Sequence, residues 1–99
     1  MNYHGIHFDQ KKVADFCHKH GISKLAFFGS ILRDDFRPDS DIDVLVEFSG
    51  PTPSLLDLGG MQVELSAILG REVDLKTVGF LSRHFREQVL REARTQYAA

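Results

Sequence analysis

Apolar and polar residues along this chain follow two periods, one helical and one extended. From Gln10 to His20, Val13, Phe16 and Cys17 fall on one helical stripe. Asp9 stands where an N-cap belongs and Gly21 where a left-handed C-terminal residue belongs. Lys24 to Phe28 is short and mostly apolar, which predicts a buried strand rather than an edge. Gly29 and Ser30 break it, and Ser30 to Asp35 has room for a short helix whose N-terminus faces the strand end. Arg37-Pro38-Asp39-Ser40 is turn chemistry, with proline fixing φ.

Asp41 to Phe48 carries the clearest period of two. Ile42, Val44, Val46 and Phe48 line one face; Asp41, Asp43, Leu45 and Glu47 line the other. A loop from Ser49 to Pro53 follows, and Ser54 caps a helix running to about Leu69, where Gly70 ends it. Gly59 and Gly60 cost that helix about 2 kcal/mol relative to alanine, which predicts loose first turns or a later start. Arg71 to Thr77 reads as a third strand through Val73 and Leu75. Ser82 then caps a final helix to about Thr95, buried through Phe85, Val89, Leu90 and Ala93. The predicted order is αβ(α)βαβα, an α/β (α+β) fold with helices packed on a small mixed sheet in two layers.

Composition narrows the class. A chain of 99 residues makes one domain, 1–99, with a single core and no room for a separate substrate domain. A formal charge of −2 provides no overall basic field to draw it to nucleic acid or to an anionic membrane. The single cysteine, Cys17, excludes an intrachain disulfide and fits a reducing compartment. No apolar run approaches the roughly 18 residues of a membrane span, and the first residues lack the regions of a signal peptide. The expected location is cytoplasmic.

The chemistry concentrates between Gly29 and Asp43. A Gly-Ser turn lets backbone N–H groups and the Ser30 hydroxyl approach phosphate oxygens closely. Asp41 and Asp43, two apart on a strand, point to one side and can hold a hard cation such as Mg²⁺ between them. Together they imply a site for a nucleoside triphosphate and its metal. Two like charges on one face can also be an ordinary solvated surface, but the preceding Gly-Ser pair favours the site. A two-metal centre needs another carboxylate from a neighbouring strand. Asp74, between Val73 and Leu75, is the candidate and Glu72 the fallback. Arg33, one helical turn after Ser30, can pair with phosphate as a planar fork or with Asp34 or Asp35 at the surface; Arg37 is a weaker candidate.

The remaining features carry less. His4, His7, His18, His20 and His84 form no zinc pattern, since His18 and His20 diverge on a helix. Arg83, Arg86, Arg91 and Arg94 lie largely on one side of the final helix, with Glu87 among them. They read as a solvated face or as a docking surface for an acidic partner. Nothing resembles the interleaved basic and aromatic residues that bind single strands.

Gly29-Ser30, Arg33 and Ser40-Asp41-Ile42-Asp43-Val44-Leu45-Val46 resemble the signature of the DNA polymerase β-like nucleotidyltransferase superfamily. The ending Val46-Glu47-Phe48, the strand Glu72-Val73-Asp74-Leu75 and the late Leu90-Arg91-Glu92-Ala93 resemble its minimal nucleotidyltransferase branch. That branch includes MntA-type antitoxins encoded beside HEPN-domain toxins. The resemblance covers about residues 10 to 94. It implies the nucleotidyltransferase fold, ATP as substrate, two Mg²⁺ ions and transfer of AMP to a hydroxyl. In the antitoxin branch that hydroxyl belongs to a tyrosine of the HEPN-type toxin. By position, Gly29, Ser30 and Arg33 would bind nucleotide, and Asp41, Asp43 and Asp74 would be the metal-binding and catalytic residues, with Asp74 as base. Leu32 and Asp34 depart from the small-residue, Arg, Gly pattern common after Gly-Ser. A carboxylate at 34 is electrostatically unhelpful to a triphosphate unless it points away. A module that neutralises its partner by contact alone is the alternative, and a homo-oligomer is compatible with either reading.

Overall fold

The first helix, α1 (Gln10–His20), has the ends its sequence predicts. The Asp9 side chain accepts a hydrogen bond from the Lys11 N–H, and Gly21 closes the helix at φ +69°. The structure, a computed structural model, describes residues 3–99. The stripe of Val13, Phe16 and Cys17 is buried. Burial pushes the Cys17 thiol up to about 11, so it stays neutral and packs as a small apolar side chain.

Strand β1 (Ile22–Phe28) starts two residues before the predicted Lys24 and pairs antiparallel with β2 (Ile42–Phe48). The short helix expected over 30–35 is a single 3₁₀ turn, Gly29–Leu32. Helix α2 (Leu55–Leu69) follows Ser54 directly. The Ser54 hydroxyl accepts from the Asp57 N–H, and Gly70 closes the far end at φ +68°. Gly59 and Gly60 therefore neither loosen nor delay this helix. Leu58, Met61, Leu65 and Leu69 are buried on its inner side, and that burial outweighs the local propensity cost. Strand β3 (Val73–Lys76) then runs parallel to β2.

The C-terminal segment differs from its sequence reading. Helix α3 (Arg83–Glu92) stops at Ala93 instead of near Thr95, and a fourth strand, β4 (Arg94–Ala98), pairs antiparallel with β1. Phe85 and Leu90, expected in the core, are 62% and 45% exposed. Val89 of α3 and Ala93 at its C-cap pack instead, against Phe28, Leu45 and Leu81. The reason lies in β1. Its buried backbone has a second hydrogen-bonding edge that needs partners, and residues 94–98 supply them.

The finished sheet is mixed, with order β3-β2-β1-β4. Helices α1 and α2 cover one face, burying Phe16, Leu65, Phe27, Val44 and Val46 in the main core. On the opposite face α3 packs over Phe28 and Leu45, while Asp43 and Asp74 stay partly open. Among the described residues, no helix is long and apolar enough to cross a membrane. Leu65→Ala should cost about 2–5 kcal/mol, whereas Phe85→Ala should change stability by less than about 0.5 kcal/mol. Urea unfolding of the two variants checks both the core and the corrected position of α3.

Candidate active site

The site begins with strand pairing. Asp43 on β2 and Asp74 on β3 are register partners in the parallel ladder, so their side chains leave the same face at neighbouring positions. β3 is an edge strand, and its outward N–H groups are taken up by α2. The Val73 N–H donates to the Ser66 hydroxyl (3.0 Å), and the Leu75 N–H donates to the Gln62 side-chain carbonyl (2.8 Å). These two bonds grip the backbone on either side of Asp74 and hold its carboxylate beside Asp43. Sequence reading missed Gln62 and Ser66. The available signal was their i, i+4 spacing beside the buried Met61 and Leu65 of α2.

Across the other neighbour, Phe28 is opposite Asp43 in the antiparallel β1–β2 ladder. The next residue, Gly29, has φ +75°, and a Cβ there would overlap the Asp43 carboxylate, lying 3.1 Å from its Cγ. Glycine is therefore required twice over, for its left-handed backbone and for the space above it. Ser30 follows in the 3₁₀ turn, where its carbonyl accepts from the Arg33 N–H (2.9 Å). The loop from Arg33 to Asp41 is tied to the body of the protein. His4 hydrogen-bonds the Ile31 carbonyl (2.9 Å) and stacks on Phe36, while the Arg71 guanidinium lies 4.5 Å over the centre of the Phe36 ring and donates to the Arg37 carbonyl.

Electrostatics mark Asp43 as the centre of the group. Partial burial, and then the Asp74 and Asp41 carboxylates, hold its carboxyl above the usual aspartate range, against the pull of Lys76 and Arg33. Asp41 is exposed just before β2, and Glu72 is exposed just before β3. The Lys76 ammonium sits 3.2 Å from the Asp74 carboxylate. Lys76 lies two residues after Asp74 on the same face and puts positive charge among the acids. Among the described residues, no three His, Cys, Asp or Glu side chains are gathered closely enough to hold a metal by themselves. The donor set nonetheless fits Mg²⁺, which takes one or two carboxylates and completes its shell with water and substrate phosphates. The crowded charge around Asp43 is what such a cation would neutralise.

Arg33 is exposed and pairs with Asp35 at 3.4 Å, while also acting electrostatically on Asp43. Leu32 packs against the main core, which accounts for a bulky residue there. Asp34 shares the lining of a cleft with Gly29 and Arg33.

The model of the nucleotidyltransferase domain family matches residues 10–96. The chain belongs to this family. A Methanocaldococcus jannaschii protein named as an inferred protein adenylyltransferase is 39% identical over 84 residues, covering 85% of this chain and 89% of the relative. The protein adenylyltransferase MntA of Thermococcus cleftensis is 39% identical over 72 residues, covering 73% of this chain and 72% of that protein. A solved structure described as an inferred minimal nucleotidyltransferase superposes with a TM-score of 0.70 at 39% identity, covering 85% of both chains. A toxin–antitoxin complex with AMP-PNP gives a TM-score of 0.74 at 19% identity, covering 92% of this chain and 74% of the other; at that identity the likeness speaks to fold alone.

Gly29→Ala should lower stability by about 1–3 kcal/mol, because it adds strain and a collision with Asp43. Gly79→Ala, with only the Thr77 hydroxyl at 3.8 Å, should stay within about 0.5 kcal/mol of the parent. Equal urea midpoints for the two variants would contradict this account of the turn.

Proposed function

We propose that the chain is a protein adenylyltransferase that moves AMP from ATP to a tyrosine hydroxyl of a HEPN-type partner and so acts as its antitoxin. The observation that carries this reading is the junction where Asp43 lies against Gly29 and beside Asp74. Support for the partner comes from the MntA relative and from neighbouring structures. One of those, at 18% identity and a TM-score of 0.67, is described as a tri-AMPylated Shewanella oneidensis HEPN toxin in complex with its MNT antitoxin. Residues 1–99 act as one domain in this scheme, in the cytoplasm.

Each residue has a defined task. Gly29 lets the triphosphate approach the backbone, and the Ser30 hydroxyl donates to a phosphate oxygen. Arg33 leaves its exposed pairing with Asp35 to contact phosphate. Asp41, Asp43 and Asp74 would hold two Mg²⁺ ions, with phosphate oxygens completing their shells. Bound Mg²⁺ supplies charge neutralisation at the phosphates and raises the acidity of the acceptor hydroxyl. The acceptor oxygen bonds to the α-phosphorus as the bond from that phosphorus to the α,β-bridging oxygen breaks. Pyrophosphate leaves, and the hydroxyl proton passes to the Asp74 carboxylate, whose side chain is 41% exposed and open to an incoming protein.

Incubation with the HEPN-type partner, Mg²⁺ and ATP labelled at the α-phosphate tests the reaction. Label should become covalently attached to the partner. Asp41→Asn and Asp43→Asn should each reduce labelling by about 100-fold or more with unchanged circular dichroism. A tight complex without label would instead make the chain a neutralising binder, and full labelling by either variant would remove the metal assignment.

A further inference from the structure

Strand β3 turns Val73 and Leu75 into the core, so Asp74 and Lys76 share its other face. Their Cα atoms are about 6.6 Å apart along the extended chain, and the lysine stem folds back across that gap. Its ammonium comes to 3.2 Å from the Asp74 carboxylate. The same charge also acts on Asp43, the register partner of Asp74. Among the described residues, no other Lys, Arg or His forms an ion pair with Asp41, Asp43 or Asp74. The cation in contact with the acids is thus an amino group of the chain itself.

That contact bears on any metal the acids hold. Mg²⁺ binds a carboxylate oxygen at about 2.1 Å. A divalent ion on Asp74 would face the Lys76 ammonium across a single carboxylate group, and the two positive charges would repel. The three aspartates carry three negative charges and Lys76 returns one positive, which falls short of balancing two divalent ions. A triphosphate supplies the missing negative charge and offers the ammonium a second anion. The pair is free to exchange partners. Lys76 and Asp74 are 36% and 41% exposed, and ion pairs at such exposure contribute little. Lys76 also borders a cleft of about 290 Å³ between α2 and Phe80, which gives its stem room to move.

Resting on the metal assignment proposed above, we infer that Lys76 is a positioning residue that takes the place of a divalent cation at Asp74 in the chain alone and makes cation binding depend on nucleotide. The pair holds the Asp74 carboxylate in place beside Asp43 before any ligand arrives. It also keeps the affinity of the acids for free Mg²⁺ low until a triphosphate shares the site. When nucleotide binds, the ammonium leaves Asp74 for a phosphate oxygen, and the carboxylate becomes available for the proton transfer assigned to it. An ordinary surface ion pair would do none of this, and removing it would leave cation affinity unchanged.

Titration of the full chain with Mn²⁺, followed by the paramagnetic resonance of the free ion, tests this by binding alone. Without nucleotide, Lys76→Met and Lys76→Gln should each bind Mn²⁺ about tenfold more tightly than the parent. Lys76→Arg keeps the charge and should bind as the parent does. Lys24→Met, which removes an exposed lysine paired with Glu47 instead, should also match the parent. In an Asp74→Asn background, Lys76→Met should bring no further gain, because the partner carboxylate is gone. Parent-like Mn²⁺ binding by both Lys76→Met and Lys76→Gln would overturn the inference and leave the transfer reading standing. A gain that persists in Asp74→Asn would overturn it too, since it would come from the overall charge of the chain. A parent that binds no Mn²⁺ even with AMP-PNP would overturn both the inference and the metal assignment.

Discussion

The Asp43 carboxylate lies against the backbone of Gly29 and beside the carboxylate of Asp74, and the rest of the structure answers to that crowding. Like charges at adjacent register positions repel, and partial burial of Asp43 adds to the cost. The fold holds them together from several directions. β2 is locked between β1 and β3, and α2 grips the edge strand through Gln62 and Ser66 on both sides of Asp74. Lys76 supplies partial relief. A divalent cation bridged to phosphate would supply the remainder, which is why an arrangement unfavourable in itself reads as a site.

Much of this was legible in the sequence because local chemistry and tertiary structure agree. Asp9 and Gly21 mark the ends of α1, and Ser54 and Gly70 mark those of α2. The alternation from Ile42 to Phe48 fixes which face of β2 carries Asp43. The partnership of Asp43 with Asp74 was foreseeable once Val73 to Lys76 was read as a strand, although its parallel register was not. The Gly-Ser turn was legible as a phosphate approach; that Gly29 also makes room for Asp43 depends on the β1–β2 register and is visible only in three dimensions.

The failures share a cause, which is long-range pairing overriding local pattern. Arg94-Thr95-Gln96-Tyr97 has the polar composition of a helix end and no apolar alternation, yet it forms β4 because β1 has an edge to satisfy. Ending α3 at Ala93 leaves Phe85 and Leu90 outside the core. Gly59 and Gly60 erred in the other direction, since four buried side chains on α2 overcome two poor helix formers. The roles of Lys76, Gln62 and Ser66 exist only relative to Asp74 in three dimensions, and no local pattern reveals those roles.

The central claim is that Asp43 and its neighbours hold a divalent cation together with nucleotide phosphate. Mn²⁺ in place of Mg²⁺ makes this directly measurable through water-proton relaxation of the protein solution with AMP-PNP present. The parent chain should show enhanced relaxation from protein-bound Mn²⁺, and Asp43→Asn should weaken that binding by about 10–100-fold. Equal enhancement by the parent and Asp43→Asn would contradict the account.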